Sequence, residues 1–433
     1  MEKIVNVIGA GLAGCEASYQ LSKRGIKVRL YEMKRIKRNE AQKSDYFSEL
    51  VCSNSLRSSN IVNAVGLLKE ELRIMDSLII KIADETRVPA GDSLSVDREL
   101  FSKRITEEIT NNPLIEVIDA CVTDIPDGPT ILATGPLTSD ALSKSIQEFI
   151  GEQYLYFYDA IAPVIEKDSI DFSKAYYKSR WDKGTPDYIN CPFTKEEYLN
   201  WYNEVIKAEE VELHSFEVKV FEGCMPFEEM AKRGVDTLRF GPMKPVGLYL
   251  ENLKPYAVVQ LRKDDLKDKL YNIVGFQTKL KYSSQDKIIH MIPGLENAKI
   301  VRYGQMHRNT FINAPGIIRS TYQTIKRPDL FFAGQLSGVE GYVESTASGL
   351  VAGINMARYL NDEELLSFPN DTAIGSSAYY LENASKKDFQ PMNVNYGIFK
   401  ELDSSYKGKH SRKEEYSSRA LNSLKEFLNE HKK

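Results

Sequence analysis

The sequence lacks the features that mark membrane, disulfide-rich and zinc-binding proteins. None of the apolar runs in its 433 residues is long enough to cross a bilayer, and the start, MEKIVNVIGAGLAG, has no charged and apolar leader with a cleavage site. Its five cysteines are odd in number, widely spaced and without a CxxC pair, and its five histidines are scattered. We therefore expect a cytoplasmic protein in a reducing compartment, with no disulfide framework and no metal site.

A strong charge of one sign is missing as well. The chain has 57 basic and 61 acidic residues, so the formal net charge of -4 does not by itself indicate a nucleic-acid-binding protein. Two local basic runs, MKRIKR at 33–38 and KGKHSRK at 407–413, are typical of solvated surfaces when taken alone. The length allows two or three domains with a large buried core.

The order of apolar runs divides the chain into three parts. KIVNVIG, LAGCEASYQLSKRG and IKVRLYE predict a strand, a helix and a second strand, and the spacing from Asn60 to Asp84 predicts one long helix. From about residue 153 to 296, clustered aromatics and alternating stretches such as PYAVVQLR and HSFEVKVFEG predict antiparallel strands. The segment DLFFAGQLSGVEGYVESTASGLVAG then returns to a strand, a glycine-rich loop and a helix, and a final helix is expected near the C-terminus.

The first glycine cluster predicts a dinucleotide site. The GxGxxG sequence follows a strand, opens a helix and precedes an acidic residue at the end of the next strand, which is the context that the fingerprint requires. Gly9 would allow a tight turn, Gly11 the close approach of a pyrophosphate and Gly14 a helix–strand contact, while a packing turn without a ligand is the alternative. The residues expected at the dinucleotide are Gly9, Ala10, Gly11, Leu12, Ala13, Gly14 and Glu32, the last at a ribose.

Two later glycine turns favour FAD over NAD. ILATG at 131–135 and the loop within 331–353 both follow strands, and FAD enzymes of the glutathione-reductase type return to the cofactor with such a late loop and helix. The small residues of STASGLVAG would let that helix backbone come close. The additional residues expected at the cofactor are Gly135, Gly334, Gln335, Gly341, Glu344 and Gly349.

These patterns predict an α/β protein with a Rossmann-like FAD-binding domain of the glutathione-reductase type and an inserted α+β domain. The first part of the FAD-binding domain is expected at residues 1–152 and the inserted domain at 153–296. Residues 297–433 would form the second part and a helical C-terminal tail.

Two cysteines stand in unusual settings. Cys224 follows a predicted strand and precedes a helix with Pro226 in its first turn, where the helix dipole would favour a thiolate, although a buried small hydrophobe is the alternative. Cys52 lies in the polar stretch FSELVCSNSLRSSN, which could reach the flavin or hold the cysteine incidentally. Cys15 and Cys121 are read as packing residues, and Cys191 is ambiguous.

The chain resembles the folate- and FAD-dependent tRNA (uracil-5-)-methyltransferases, the TrmFO family. The resemblance rests on VNVIGAGLAG, SELVCSNSLRS, ATGPLTS, FEGCMPFEEMAKRG, RYGQMHRNTFINAP and FFAGQLSGVEGYVES, and it covers nearly the whole chain to about residue 357. It implies that a methylene group from methylenetetrahydrofolate reaches C5 of an RNA uridine by way of the reduced flavin. NADH or NADPH would reduce the flavin.

The resemblance also assigns roles to residues. Cys224 would add to uracil C6, which makes C5 nucleophilic, and Cys52 would lie at the flavin and assist deprotonation at C5 or guard the transferred carbon. His307 would contact the folate pterin or be structural. Arg239, Lys244 and Arg308 would contact either folate glutamate or RNA phosphate, and the MKRIKR run is a further candidate for RNA.

The expected substrate is the T loop of tRNA, and a uridine of large-subunit (23S) rRNA is the alternative within the same chemistry. Two other function classes are a thiol-dependent flavin oxidoreductase and an RNA-binding protein that keeps FAD for structure. Neither of these would form 5-methyluridine. No membrane partner is expected.

Overall fold

The computed structural model describes residues 3–39, 41–151, 155–160, 162–182, 184–211, 225–265, 267–304, 306–387, 389–402 and 409–431, with the backbone alone at 155–160, 306–309 and 409–411. The described strands are β1 (Ile4–Ile8), β2 (Lys27–Glu32), β3 (Ser55–Ser58), β4 (Arg87–Val88), β5 (Ser93–Val96), β6 (Ile115–Asp119), β7 (Thr130–Leu132), β8 (Leu155–Ala160), β9 (Val164–Glu166), β10 (Tyr176–Tyr177), β11 (Tyr188–Phe193), β12 (Ala257–Lys263), β13 (Leu270–Ile273), β14 (Ile300–Arg302), β15 (Met306–Phe311) and β16 (Leu330–Phe332). The described α-helices are α1 (Leu12–Ser22), α2 (Ala64–Ile74), α3 (Leu78–Glu85), α4 (Arg98–Thr110), α5 (Asp140–Ile150), α6 (Lys195–Lys207), α7 (Phe227–Lys232), α8 (Thr237–Phe240), α9 (Tyr282–His290), α10 (Tyr342–Leu360), α11 (Ala373–Asn383) and α12 (Lys409–Glu430).

A five-stranded sheet organises the N-terminal and C-terminal parts of the chain. Its order is β16-β7-β1-β2-β6, and all four pairings are parallel. Strands β7 and β16 are buried at every residue, as expected where a parallel sheet is covered on both faces, whereas β2 and β6 expose charged residues such as Lys27, Arg29 and Glu116. The α/β prediction is confirmed, because strand β16 from late in the sequence completes the sheet begun by β1.

Helix α10 packs against α1 through its small residues. A Cβ added to Gly349 would stand 2.2 Å from the carbonyl oxygen of Ala13, and one added to Gly353 would stand 2.8 Å from that of Ala17. The two helix backbones can approach this closely only because glycine has no side chain. The small-residue pattern therefore brings α10 close to α1, whereas the sequence predicts a close approach of this helix to the cofactor.

The middle of the chain builds a second sheet. Its six strands have the order β10-β11-β12-β13-β9-β14 and pair antiparallel. Its own apolar cluster includes Tyr198, Trp201 and Phe276, all buried and in ring contact with one another or with neighbouring aromatics. PYAVVQLR forms the predicted antiparallel strand, β12, whereas HSFEVKVFEG lies outside the described residues. The boundaries of the three predicted segments stay a prediction.

The predicted helix from Asn60 to Asp84 is in fact two helices, α2 and α3. Asp76 between them has a φ of 58°, and the Ser77 side chain accepts a hydrogen bond from the Ile80 N–H, which starts a new helix. The buried Glu16 carboxylate on α1 accepts from the Ile79 N–H at 3.0 Å and the Ser77 hydroxyl at 2.7 Å. This contact from another helix stabilises the break.

Among the described helices, none combines the length and apolar character needed to cross a membrane. The described residues also contain no group of three or more histidine, cysteine or acidic side chains arranged to hold a metal ion.

Candidate functional site

A cavity of about 410 Å³ opens at the carboxyl end of the parallel sheet. That position is where open α/β sheets bind ligands, and the volume falls within the roughly 300–1,000 Å³ of small-molecule sites. Its lining combines the first glycine turn, the turn after β7, the late loop before α10 and the polar loop that carries Cys52. The fold thus brings together four segments that are distant in the sequence.

The first glycine turn fits a pyrophosphate. Gly9 has a φ of 100°, and a Cβ on Gly14 would stand 1.8 Å from the Gly9 carbonyl oxygen, so both positions require glycine. At Gly11 no protein atom lies within 4 Å of an added Cβ, and no side chain caps the start of α1 there. The first N–H groups of a helix have no acceptor within the helix, so those of α1, beside the cavity, can bind an anion. Ala10, Leu12 and Ala13 also line the cavity.

Glu32 lies at the other side of this turn. Its buried carboxylate accepts hydrogen bonds from the Ala10 N–H at 2.8 Å and the Lys34 N–H at 2.9 Å. Glu32 also lines the cavity, so it can both hold the turn and face a ribose. The ribose contact itself stays a prediction.

The later predicted cofactor residues divide into two groups. Gly135, Gly334, Gln335 and Gly341 line the cavity, and Gly135 has open space where a Cβ would stand. Glu344 is 1% exposed and forms an ion pair with Arg57, and its carboxylate also accepts from the Val394 N–H at 2.9 Å. Glu344 and Gly349 do not line the cavity. Through Arg57, Glu344 stabilises the segment that follows Cys52, and Gly349 packs on α1.

Cys52 lies in the cavity lining, half-buried. The Tyr342 hydroxyl accepts hydrogen bonds from the backbone N–H groups of Cys52 at 2.8 Å and Ser53 at 3.2 Å. Burial raises the pKa of the Tyr342 phenol, which therefore stays protonated in the neutral range. Arg262 donates to the Ser53 hydroxyl at 2.5 Å and also lines the cavity. The loop that looked irregular in the sequence is held in place at three consecutive residues, since Arg262 also reaches Asn54.

The other described cysteines are placed differently. Cys15 and Cys191 are fully buried, and burial raises the pKa of both thiols, that of Cys15 to about 12. Cys121 is half-buried and does not line the cavity. A packing role fits Cys15 and Cys191, and Cys52 is the described cysteine with access to the cavity.

Cys224 lies outside the described residues, which resume at Met225. Helix α7 begins at Phe227 with Pro226 as its N-cap, one position before the first helical turn that the sequence suggested. The Phe227 N–H donates to the carbonyl oxygen of Gln277 at 2.8 Å, and Gln277 lines the cavity. The chain that immediately follows Cys224 is therefore anchored beside the cavity wall.

The predicted folate and RNA residues are only partly described. His307 and Arg308 belong to β15, which pairs with β8, and their side chains lie outside the described residues. Two residues beyond them, the Thr310 N–H donates to the Pro136 carbonyl oxygen at the cavity lining. The Arg239 guanidinium already has partners within the protein, because it pairs with Asp236 and lies over the Tyr256 ring at 3.5 Å.

The basic run at 33–38 is largely neutralised within the protein. Lys34 is buried beside Glu49 at 3.4 Å, Arg35 lies 3.3 Å from Asp119, and Arg38 pairs with Asp45. Because these basic side chains are already paired with carboxylates, the run is a weaker candidate for binding RNA phosphates. The second run, at 407–413, is described only in part and continues into α12.

Sequence reasoning missed the residues that hold the Cys52 loop. Tyr342, Arg57 and Arg262 reach it from elsewhere in the chain, and no local pattern marks such contacts. Arg302 was also missed: two of its guanidinium nitrogens are buried without a hydrogen-bond partner in the described part of the chain. Burial, and next the nearby Arg98, lower the pKa of Arg302 to about 10.

Comparison with known proteins adds three findings. The family described as glucose inhibited division protein A matches residues 4–364. The methylenetetrahydrofolate–tRNA-(uracil-5-)-methyltransferase TrmFO of Bacillus licheniformis is 59% identical over 428 residues, which are 98% of this chain and 99% of that protein. The Bacillus subtilis protein of the same name is 58% identical over 426 residues, 98% of each chain.

Among solved structures, GidA from Aquifex aeolicus superposes with a TM-score of 0.71 at 17% identity, covering 99% of this chain and 76% of that one. At this identity the likeness supports the fold alone.

Proposed function

The chain belongs to the TrmFO family of methylenetetrahydrofolate-dependent tRNA (uracil-5-)-methyltransferases, and from this premise we propose how its cavity serves the reaction. The enzyme transfers a one-carbon unit from methylenetetrahydrofolate to C5 of a uridine in tRNA. The cavity holds FAD, with the pyrophosphate at Gly11 and the start of α1, a ribose at Glu32, and the flavin end toward Cys52. When bound and reduced, FAD would carry the methylene carbon from folate to the uridine and supply the hydride that completes the methyl group.

The observation that carries this proposal is the position of Cys52. It lines the same cavity as the pyrophosphate turn, and Tyr342, at the start of α10, fixes its backbone. A thiol in this place can exchange a proton with a uracil ring that enters from the open side. The described chain resumes at Met225, directly after Cys224, and Phe227 is anchored at Gln277 on the wall of the same cavity, which supports Cys224 as the second thiol.

The two cysteines divide the chemistry on uracil. The Cys224 thiolate adds to C6, which places an electron pair on C5 and lets C5 bond to the donor carbon. Loss of the C5 proton, assisted by Cys52, and departure of the thiolate from C6 then restore the ring. A target uridine must leave its stack before either thiol can reach it. His307 is the proposed pterin contact.

The reaction can be tested directly with purified protein. FAD-loaded enzyme is incubated with methylenetetrahydrofolate, NADH or NADPH, and transcripts of tRNA or large-subunit rRNA fragments, and 5-methyluridine is mapped after digestion. We expect product in the tRNA T loop. Product in rRNA alone would overturn the tRNA assignment, and no product in either RNA would leave a flavin oxidoreductase or an RNA-binding protein as the better reading.

Single-residue variants test the roles of the two cysteines. Cys224→Ala and Cys52→Ser should each lose methyl transfer while retaining bound FAD, whereas Cys121→Ser, outside the cavity lining, should keep both. Full activity of Cys224→Ala would refute its role as nucleophile. Comparing NADH with NADPH in the same assay identifies the reductant.

A further inference from the structure

A surface beside the cavity exposes aromatic rings that a folded protein would ordinarily bury. Trp181 is 60% exposed, Phe240 76% and Tyr249 43%. Phe240 is the last residue of α8, and the loop that follows it carries Tyr249, Lys244 and Lys254. Both lysines are exposed and have no ion-pair partner in the described part of the chain. We call these five residues the aromatic platform. The chain has two tryptophans, and the other, Trp201, is fully buried.

The backbone that carries Trp181 is strained. Trp181 has a φ of 62° and Asp182 a φ of 51°, a region that bulky residues rarely adopt. The Trp181 N–H donates to the Gly247 carbonyl oxygen at 2.9 Å, and two indole atoms lie 2.9 Å from where a Cβ on Gly247 would stand. Glycine at 247 thus lets the indole rest on the backbone. Strain that holds a large apolar ring in solvent indicates function more than stability.

Two contacts tie the platform to the cavity. Arg180 donates to the Lys244 carbonyl oxygen and to the Gln260 side chain, both at 3.0 Å. Gln260 precedes the cavity-lining Arg262 by two residues on β12, so both face one side of the sheet about 7 Å apart.

The second contact runs through the loop itself. A Cβ on Gly275 would stand 2.4 Å from Pro242 Cβ, and Gly275 lies two residues before the cavity-lining Gln277. The platform therefore adjoins the part of the cavity wall that contains Arg262 and Gln277.

We propose that the aromatic platform binds the RNA substrate, with unpaired bases next to the target uridine stacked on Trp181 and Phe240 and phosphates held by Lys244 and Lys254. The inference rests on the proposed function, because it takes the cavity as the place where uridine is modified. Base stacking on exposed aromatic rings is the usual means of holding single-stranded RNA, and it needs no large positive net charge. Glu251 is the acidic side chain of the same loop, and Asp182 is paired with Lys178.

Binding of a tRNA transcript to FAD-loaded enzyme tests the proposal. Trp181→Ala should weaken binding about tenfold or more, while Trp181→Phe should retain most of the affinity because a ring remains. Tyr379→Ala, which removes an aromatic ring that is 47% exposed on α11, is the matched control and should bind as the wild type does. Lys244→Ala should reduce the slope of log Kd against log salt concentration by about 0.7–0.9, and Lys425→Ala on α12 should not.

Fluorescence gives a second readout. Since Trp201 is buried, RNA-dependent quenching should come from Trp181 and disappear in Trp181→Phe, whose circular dichroism verifies folding. Equal affinities for Trp181→Ala, Phe240→Ala and the controls would overturn the platform even if the wild type forms 5-methyluridine. Failure of the proposed function would appear differently, as absence of product from the wild type. If Trp181→Ala instead changes the mass in sedimentation, the surface joins two copies of the chain and the RNA proposal is wrong.

Discussion

Gly11 offers a substitution that separates cofactor binding from folding. Its φ of -79° and ψ of -172° suit any residue, and no protein atom lies within 4 Å of an added Cβ. Gly11→Ala therefore creates no clash inside the protein, and its cost is confined to the weaker N-cap preference of alanine, at most about 1 kcal/mol. The added methyl group stands instead where the pyrophosphate is proposed to lie.

Gly14 provides the matched comparison three residues later. A Cβ there would stand 1.8 Å from the Gly9 carbonyl oxygen, whereas ordinary contacts begin at 3.4 Å. The carbonyl oxygen is a backbone atom and the Cβ is bonded directly to the backbone. The clash can therefore be relieved only if the glycine turn or α1 moves. Overpacking of this kind costs about 3 kcal/mol or more, and the better helix propensity of alanine returns about 1 kcal/mol. Gly14→Ala should lose about 2 kcal/mol of stability or more even without cofactor.

Two measurements separate these effects. Urea unfolding of the FAD-free proteins should place Gly11→Ala close to the wild type and Gly14→Ala clearly below it. Titration with FAD should then show at least tenfold weaker binding by Gly11→Ala. Normal FAD affinity in Gly11→Ala would refute the placement of the pyrophosphate, and normal stability of Gly14→Ala would refute the packing argument.

Two further predictions concern the Cys52 loop and the helix behind it. Tyr342→Phe removes the acceptor shared by the Cys52 and Ser53 N–H groups, so methyl transfer should slow while FAD binding persists; an unchanged rate would show that the hydroxyl does not position the thiol. Lys69 is fully buried, donates to the Leu56 carbonyl oxygen, and has its pKa lowered by burial to about 7. Because the unfolded chain keeps the proton up to about pH 10.5, wild-type stability should rise between pH 7 and 10.5, by at most about 1.4 kcal/mol per pH unit. Unfolding measured across this range should show a flatter profile for Lys69→Met and an unchanged one for the exposed control Lys425→Met; parallel profiles for wild type and Lys69→Met would contradict the lowered pKa.

Local sequence determined the parts of this protein whose physics is local. The βαβ unit was readable because the apolar strands β1 and β2 flank a glycine turn and a helix, and the positive φ of Gly9 and the contact of Gly14 with Gly9 arise within a few residues of chain. The resemblance identified the family from motifs spread along most of the chain, and the comparisons confirmed it. The roles of Cys52 and Cys224 stay proposals.

Only the tertiary structure decided what each motif contacts. Glu344 and Gly349 lie in a motif suited to a cofactor, yet Glu344 pairs with Arg57 and Gly349 packs on Ala13 of α1, both partners lying far away in the sequence. The break before Ser77 depends on Glu16 from another helix, and the position of Cys52 depends on Tyr342. Hydrophobic periodicity and secondary-structure propensity depend on a residue and its neighbours along the chain. They cannot specify which distant backbone will lie against it, and at this site those distant contacts position the thiol.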